Sequence, residues 1–184
     1  NNRLRFDGST PGDHETPEQS IPGVPATGYA DGHDWETCMT MNDNWGYSKH
    51  DTEWKTPADV IRKLIDIVSK GGNFLLNVGP KADGTFPEQS SYILSELHNY
   101  MQVNAEAIHG TRACPLENGV PFGRVTSKVE GDRTTLYLHV FDWPADGKLL
   151  VPGLYNANAE ISLLKDGSSL HYTVEEQGLT IQVP

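Results

Sequence analysis

The chain has 184 residues, of which 36% are hydrophobic, so it is long enough to bury a core in one or two domains. Its formal net charge of −11 comes from 25 acidic and 14 basic residues. Because binding to phosphates needs clustered Lys and Arg, this balance argues against a nucleic-acid partner. No apolar run approaches the roughly 20 residues of a membrane-spanning helix, so the sequence predicts no membrane partner.

Neither a metal nor a cofactor is expected from the sequence. Cys38 and Cys114 are the two cysteines, and no CxxC pair suggests a zinc site. The seven histidines lack the spacing of metal ligands, and no glycine-rich phosphate loop follows a strand. We expect both thiols to be unpaired and mostly buried, and they do not indicate a compartment.

The first segment, residues 5–34, is rich in Gly, Pro, Asp and Thr and has hardly any periodicity. A loop of this length is uncommon inside a compact domain and is usually functional or disordered. The run Asp13-His14-Glu15-Thr16-Pro17-Glu18 favours function. The chain starts without Met and stops as the strand-like segment 179–184 finishes, so we expect it to be part of a longer protein.

The next segment, residues 35–47, combines aromatic rings with carboxylates and amides. It holds two tryptophans, a tyrosine, a glutamate and the run Asn42-Asp43-Asn44. A packed core rarely contains this mixture, because each buried amide or carboxylate must find hydrogen-bond partners. A sugar site does need it, since aromatic faces cover C–H patches while polar groups fix hydroxyls. The composition of this segment therefore favours sugar binding.

An α/β arrangement is predicted over residues 56–104. Thr56 as N-cap, Pro57 and Asp59 begin a helix that ends at Gly71-Gly72. A continuous apolar strand follows over residues 73–79 and is expected to be buried on both faces of a parallel sheet. Apolar residues at helical spacing then predict a second helix ending near Asn104. This order is typical of α/β barrels and doubly wound sheets.

From about residue 112 the pattern changes to short β-rich runs separated by Gly-Asp, Asp-Gly and Pro-Gly turns. The predicted strands cover residues 124–130, 134–140, 148–151 and 160–164. Strands at this spacing are typical of an antiparallel sandwich. We therefore predict a boundary near residue 112, between domains 1–111 and 112–184.

Several motifs in the first 112 residues carry a resemblance. They are Asn1-Asn2-Arg3, the segments 12–19, 35–38, 45–47 and 71–80, Asp83-Gly84, and the segment 104–110. Together these motifs resemble the retaining α-L-fucosidases of glycoside hydrolase family 29. In the last segment, Ala105 and His109 replace the family's usual Gly and Tyr. The rest of the chain fits the family's C-terminal β-sandwich only by position and pattern.

The resemblance implies the later half of a (β/α)8-type barrel followed by an antiparallel β-sandwich without its last strand. It also implies removal of terminal α-L-fucose with retention, through an Asp nucleophile outside this chain and a separate acid/base. The implied partners are a fucosylated glycan or fucoside substrate and an N-terminal barrel half supplied in cis or in trans. The compartment stays open, and a periplasmic, secreted or lysosomal one fits the family.

Glu18 is the residue to which the resemblance assigns the acid/base role. Such an acid protonates the leaving oxygen and later deprotonates water, about 5–5.5 Å from the nucleophile. Without the resemblance, Glu18 is an ordinary solvated carboxylate or a first-turn residue after Thr16-Pro17. Glu36 is the alternative acid/base, because burial beside an aromatic ring suits a general acid, although it could equally be structural. Asp13 is a third candidate.

Arg3 and Trp45 are the candidate substrate-binding residues. Arg3 matches a family arginine that contacts fucose, and a guanidinium donates to two oxygens at once. Its alternative is a buried ion pair. Trp45 stands where the family places an aromatic ring against the apolar face and methyl group of fucose, and its alternative is core packing. Trp35 is expected in the core, while Tyr47 is left undecided.

Two other functions compete with the enzymatic interpretation. One is a non-catalytic carbohydrate-binding protein, and the other is an inactive fragment that acts only after pairing with an N-terminal partner. An isolated half-barrel exposes strand edges and apolar faces. We therefore expect the chain alone to be inactive or to associate.

Overall fold

The computed structural model describes residues 14–23, 25, 27–28 and 34–184. Arg3 and Asp13 lie outside the described residues. The elements of the first half are β1 (His14–Glu15), β2 (Asp34–Thr40), α1 (Pro57–Val68), β3 (Asn73–Asn77), α2 (Glu88–Asn104) and a 3₁₀ turn (Ala105–Ala107). Those of the second half are β4 (Gly123–Glu130), β5 (Arg133–Val140), β6 (Lys148–Pro152), β7 (Tyr172–Glu175) and β8 (Gly178–Gln182).

The first half is an α/β unit built on a parallel sheet. Its strands lie in the order β1-β2-β3, with β2 at the centre. Helix α1 connects β2 to β3, as parallel strands require, and α2 follows β3. The predicted helices and the strand between them are thereby confirmed, and the predicted strand ends two residues early, at Asn77.

Local sequence explains both ends of α1. The Thr56 side chain accepts from the Asp59 backbone N–H, and the Asp59 carboxylate accepts from the Thr56 backbone N–H, which completes a capping box. Beyond the helix, Gly71 adopts a left-handed φ of +79°. Gly72 passes so close to Trp35 that a Cβ would lie 2.4 Å from the ring. Both glycines of the predicted stop are therefore needed, for different reasons.

The helices cover one face of the parallel sheet. Trp35, Thr37 and Met39 point to this face and are at most 2% exposed, which confirms Trp35 as a core residue. Trp35 packs with Ile67 and Phe74. A second cluster of Met41, Val60 and Ile93 lies farther along the sheet. These contacts fix the sheet against α1 and α2.

The opposite face of the sheet is open in the described part of the chain. Leu75 of β3 is 53% exposed, so the prediction that this strand is buried on both faces is wrong. Alternating side chains of β3 point to opposite faces, and only the face of Phe74 and Leu76 meets the helices. Its Cα partner Cys38 is half-buried on β2.

The second half is all β. Strands β4 and β5 form an antiparallel pair, and β6-β8-β7 form an antiparallel sheet. A cluster centred on Leu149, Val151, Leu179 and Ile181 draws in Leu138 and Val140 of β5, so the two sheets share one core. The strands predicted over 124–130, 134–140 and 148–151 are confirmed.

The strand predicted over residues 160–164 is wrong. This segment carries only an isolated bridge between Ser162 and Ser169, closed by Leu163 N–H donating to Ser168 O at 2.9 Å. Gly167, at φ +73°, turns the chain back immediately, so the apolar run has no partner of strand length. Strand β7, which the sequence did not predict, pairs with β8 instead.

Polar contacts join the two halves. The Asp66 carboxylate on α1 accepts from Arg124 of β4 and, at 3.2 Å, from Lys70. Deeper in the junction, the Thr126 hydroxyl donates to Ala107 O at 2.6 Å and lies 3.0 Å from His139 Nε2. The Tyr100 hydroxyl is 3.4 Å from His139 Nδ1. Burial lowers the pKa of His139 to about 4 and raises that of Tyr100 to about 12.

Both cysteines are free, as predicted; Cys114 is buried and Cys38 is partly buried. Burial raises the pKa of the Cys114 thiol. Within the described ranges, neither helix combines the length and apolarity that crossing a bilayer requires.

Candidate active site

Glu18 and Trp45 meet at the carboxyl-terminal edge of the parallel sheet. The Trp45 indole Nε1–H donates to Glu18 Oε1 at 3.0 Å, across 27 residues of sequence. Both side chains are exposed, and Trp45 retains 40% of its accessible surface. The contact uses only the edge of the ring. Its faces stay available to a ligand beside the carboxylate.

The segment around Glu18 is held by the central strand β2. Cys38 N–H donates to Pro17 O at 3.2 Å, and Gln19 N–H donates to Cys38 O at 2.9 Å. Gln19 has a left-handed φ of 54°, which is uncommon for a residue other than glycine. Its amide holds this conformation, because Nε2 donates to Thr40 Oγ1 at 2.9 Å and Oε1 accepts from Thr40 N–H at 3.2 Å.

A network centred on Asp51 shapes the loop that carries Trp45. The Asp51 carboxylate accepts from Asn44 Nδ2 at 2.7 Å, from Asp43 N–H at 3.1 Å and from Glu53 N–H at 3.1 Å. These donors lower the pKa of Asp51, with the Asn44 side chain as the largest cause. The amide of Asn44 is thus engaged inside the loop. The polar residues of segment 35–47 therefore serve the shape of the loop as well as its surface.

A second anchor reaches the loop from β3. Asn77, the last residue of that strand, donates from Nδ2 to Trp45 O at 2.7 Å. Two residues later, a Cβ on Gly79 would lie 2.7 Å from Gly46 C and Tyr47 N. Sequence reasoning assigned both residues to an apolar strand and missed their contact with the Trp45 loop. Their position just where β3 ends was the available signal.

Glu36 lies farther from Trp45 than Glu18 does along the sheet. It is partly buried on β2, where it pairs with Asn73 at the start of β3. Glu18 instead pairs with Cys38, two residues closer to the carboxyl end of β2. Ligands of parallel sheets bind at the carboxyl ends of the strands. This placement favours Glu18 over Glu36.

The candidate site is an open surface in this chain. Two cavities, of about 220 and 1130 Å³, have walls that include neither Glu18 nor Trp45. The larger one lies between β5 and the β6-β8-β7 sheet and is lined mainly by apolar side chains such as Leu138 and Ile181. Across the described ranges, no group of three or more His, Cys, Asp or Glu is arranged to hold a metal ion.

Comparison with curated proteins and solved structures gives consistent relatives. The chain is 31% identical over 163 residues to the α-L-fucosidase of Dictyostelium discoideum, which covers 83% of this chain and 34% of that protein. It is 29% identical over 158 residues to human plasma α-L-fucosidase, with the same two coverages. The chain thus spans about a third of the length of the curated relatives it matches.

Among solved structures, α-L-fucosidase isoenzyme 1 from Paenibacillus thiaminolyticus superimposes with a TM-score of 0.82 at 35% identity, over 96% of this chain and 43% of that one. A family 29 α-L-fucosidase from Bacteroides thetaiotaomicron, trapped as a covalent intermediate in a Glu-to-Gln variant, gives 0.78 at 27% identity, over 97% and 41%. The family model for α-L-fucosidase matches residues 1–106. The chain therefore belongs to the α-L-fucosidase family.

Proposed function

We propose that this chain contributes the acid/base side of a retaining α-L-fucosidase active site. The hydrogen bond from Trp45 to Glu18 carries this proposal, because it joins the two residues that the family motifs single out. A relative trapped as a covalent intermediate supports a mechanism with retention. The substrate is a terminal α-L-fucoside on a glycan or an aryl aglycone.

In the first step of this mechanism, an aspartate outside this chain attacks the anomeric carbon of fucose. Glu18 donates its proton to the glycosidic oxygen, so that the aglycone leaves as a neutral alcohol. In the second step, Glu18 takes a proton from water, whose oxygen attacks the same carbon and releases the aspartate. Two inversions give retention. The two carboxyl groups would be about 5–5.5 Å apart.

Trp45 has two parts in this proposal. One face of its ring covers the apolar side and the methyl group of fucose, since 40% of its surface is exposed. Its Nε1–H holds the Glu18 carboxyl group beside that face. Arg3, which lies outside the described residues, would donate to sugar oxygens. Glu36 remains the alternative acid/base.

The architecture we propose is the later part of a (β/α)8-type barrel followed by a β-sandwich, with the boundary near residue 112. The order of parallel strands and helices in the first half and the two antiparallel sheets in the second support it. The open sheet face that carries Leu75 would then line the barrel interior. An N-terminal barrel half, in cis or in trans, would supply the remaining wall of the site.

An activity assay tests the proposal. The chain is incubated with 4-nitrophenyl α-L-fucoside by itself and as a fusion behind the preceding part of the Paenibacillus thiaminolyticus enzyme. We expect turnover only from the fusion. In the fusion, Glu18→Gln should lower kcat by about 10²–10⁴-fold for a fucoside with a poor leaving group, which needs acid assistance. The matched control, Glu36→Gln, should retain most of that activity.

Three outcomes would contradict parts of this account. Turnover by the chain alone would refute the need for a second barrel half. A larger loss in Glu36→Gln than in Glu18→Gln would exchange the two roles. Fucose binding without turnover in a folded fusion would favour the carbohydrate-binding alternative over the enzyme.

A further inference from the structure

Asn77 occupies a place in the sheet from which it reaches the site indirectly. It is the last residue of β3, and its Cα partner is Thr40, the last residue of β2. Paired residues of parallel strands point to the same face, so Asn77, Thr40 and the Glu18 partner Cys38 share the open face. From there the Asn77 amide donates to Trp45 O at 2.7 Å.

A second contact restrains the same loop residues. The backbone at Gly79 lies against the peptide that joins Gly46 to Tyr47, at a distance that leaves no room for a Cβ. The loop is therefore tied at the Trp45 carbonyl and supported one peptide farther on. Both contacts come from the end of β3, which α1 and α2 hold rigidly through Phe74 and Leu76.

The other end of Trp45 touches Glu18. A carbonyl fixed by Asn77 and a neighbouring peptide fixed by Gly79 set the direction of the Trp45 side chain, which has two rotatable bonds. The indole Nε1–H then meets Glu18 Oε1 at 3.0 Å. We propose that Asn77 is a positioning residue that acts through Trp45 to aim the Glu18 carboxyl group. This inference rests on the proposed acid/base role of Glu18.

The chemistry of the contact specifies the amide. Only a side chain that donates a hydrogen bond can hold a carbonyl oxygen, and aspartate, which has nearly the same shape, presents acceptors instead. Asn77→Asp therefore removes the donor and sets a negative charge against the Trp45 carbonyl. Asn77→Ala removes the donor without adding charge. Asn73, the exposed first residue of the same strand, offers a matched control.

The indole N–H signals in a ¹H–¹⁵N NMR spectrum of the 184-residue chain test this directly. The four tryptophans give four such signals, and Trp45→Phe identifies the one from Trp45. Glu18→Ala gives its position when the bond to Glu18 is absent. We expect Asn77→Ala and Asn77→Asp to move the Trp45 signal at least halfway to that position, and Asn73→Ala to leave it in place.

The same spectrum reports whether each variant is folded. Trp35 is buried and donates from Nε1 to Lys70 O at 3.4 Å, so its signal keeps its place in a folded variant. Should both Asn77 variants unfold, Gly79→Ala displaces the loop by another route and is expected to move the Trp45 signal likewise. A Trp45 signal that stays in place in the folded variants overturns the proposal.

The fusion enzyme separates positioning from a general loss of structure. Asn77→Asp should lower kcat/KM for methyl α-L-fucoside at least tenfold more than for 4-nitrophenyl α-L-fucoside, because only the poor leaving group depends on a well-aimed acid. Equal losses on both substrates would contradict the positioning role. The NMR experiment uses no substrate. A moved Trp45 signal in a protein whose fusion never hydrolyses fucosides would refute the proposed function and not the contact.

Discussion

His139 is a titratable residue that the fold keeps neutral. It is 8% exposed, and because the Thr126 hydroxyl donates to Ala107 O, it must accept the hydrogen bond from His139 Nε2–H. His139 Nδ1 is then left as the acceptor that faces the Tyr100 hydroxyl. Burial lowers the pKa of His139 from 6.5 to about 4. Protonating it would bury a charge and break this network.

The expected consequence is a loss of stability in acid. Below pH 6.5 the unfolded chain takes up a proton that the folded chain accepts only near pH 4. The free energy of unfolding should therefore fall through this window, by up to about 3 kcal/mol from this group. Urea unfolding at several pH values measures it. His139→Gln should show a smaller acid loss than the wild type, whereas the exposed control His171→Gln should show the same loss. Equal losses in all three proteins would refute this role of His139.

Residue identities at the site were partly accessible from sequence. Glu18 and Trp45 were predicted because their motifs resemble those of a family. Gln19, Asp51 and Asn77 were missed, since an amide or carboxylate can bind many partners and only the fold selects one. A left-handed Gln19 is likewise a product of its contacts with Thr40, which no local pattern announces.

Helix α1 is an element whose boundaries follow from its sequence. The capping box of Thr56 and Asp59 satisfies backbone N–H groups at the first turn. We expect Thr56→Ala to lower the free energy of unfolding by about 1 kcal/mol. Thr52→Ala, which removes an exposed loop hydroxyl nearby, is the control and should change it by less than half as much. Chemical denaturation of the two variants decides the point.

The connection from α1 to β3 depends on a glycine without a side chain. A Cβ on Gly72 would lie 2.4 Å from the ring of Trp35, which is 1% exposed and has no space to move into. Gly72→Ala should therefore destabilise the fold by about 1–3 kcal/mol, as overpacking does. Gly23→Ala meets nothing within 4 Å and serves as the control. A thermal melt in which the two variants behave alike would contradict the packing argument.

Elements with local signals were predicted well, and those that depend on pairing were not. Caps, glycine stops and apolar spacing located α1, α2 and β3. The apolar run at 160–164 looked like a strand, yet Gly167 reverses the chain before a partner of equal length can pair with it. Burial of β3 on both faces was also expected. Its second face needs a covering layer, which no strand-length pattern specifies.

Taken as a whole, the molecule presents an open sheet face. Leu75 is 53% exposed there, beside the half-buried Cys38. Exposed apolar faces promote association. We expect the chain to self-associate with rising concentration in sedimentation velocity experiments, and Leu75→Lys to reduce that association. Leu164→Lys, at a 39% exposed leucine in the second half, should not. A chain that stays monomeric at all concentrations would contradict this expectation.

The central claim is that Glu18 exchanges protons with the leaving group and with water. Azide rescue in the fusion enzyme tests it most directly, because azide needs no general base and can take the place of water after the first step. In Glu18→Ala, we expect sodium azide to raise turnover of an activated aryl fucoside at least tenfold and to yield α-L-fucosyl azide, identified by NMR. Rescue and azide product in Glu36→Ala but not in Glu18→Ala would contradict the account.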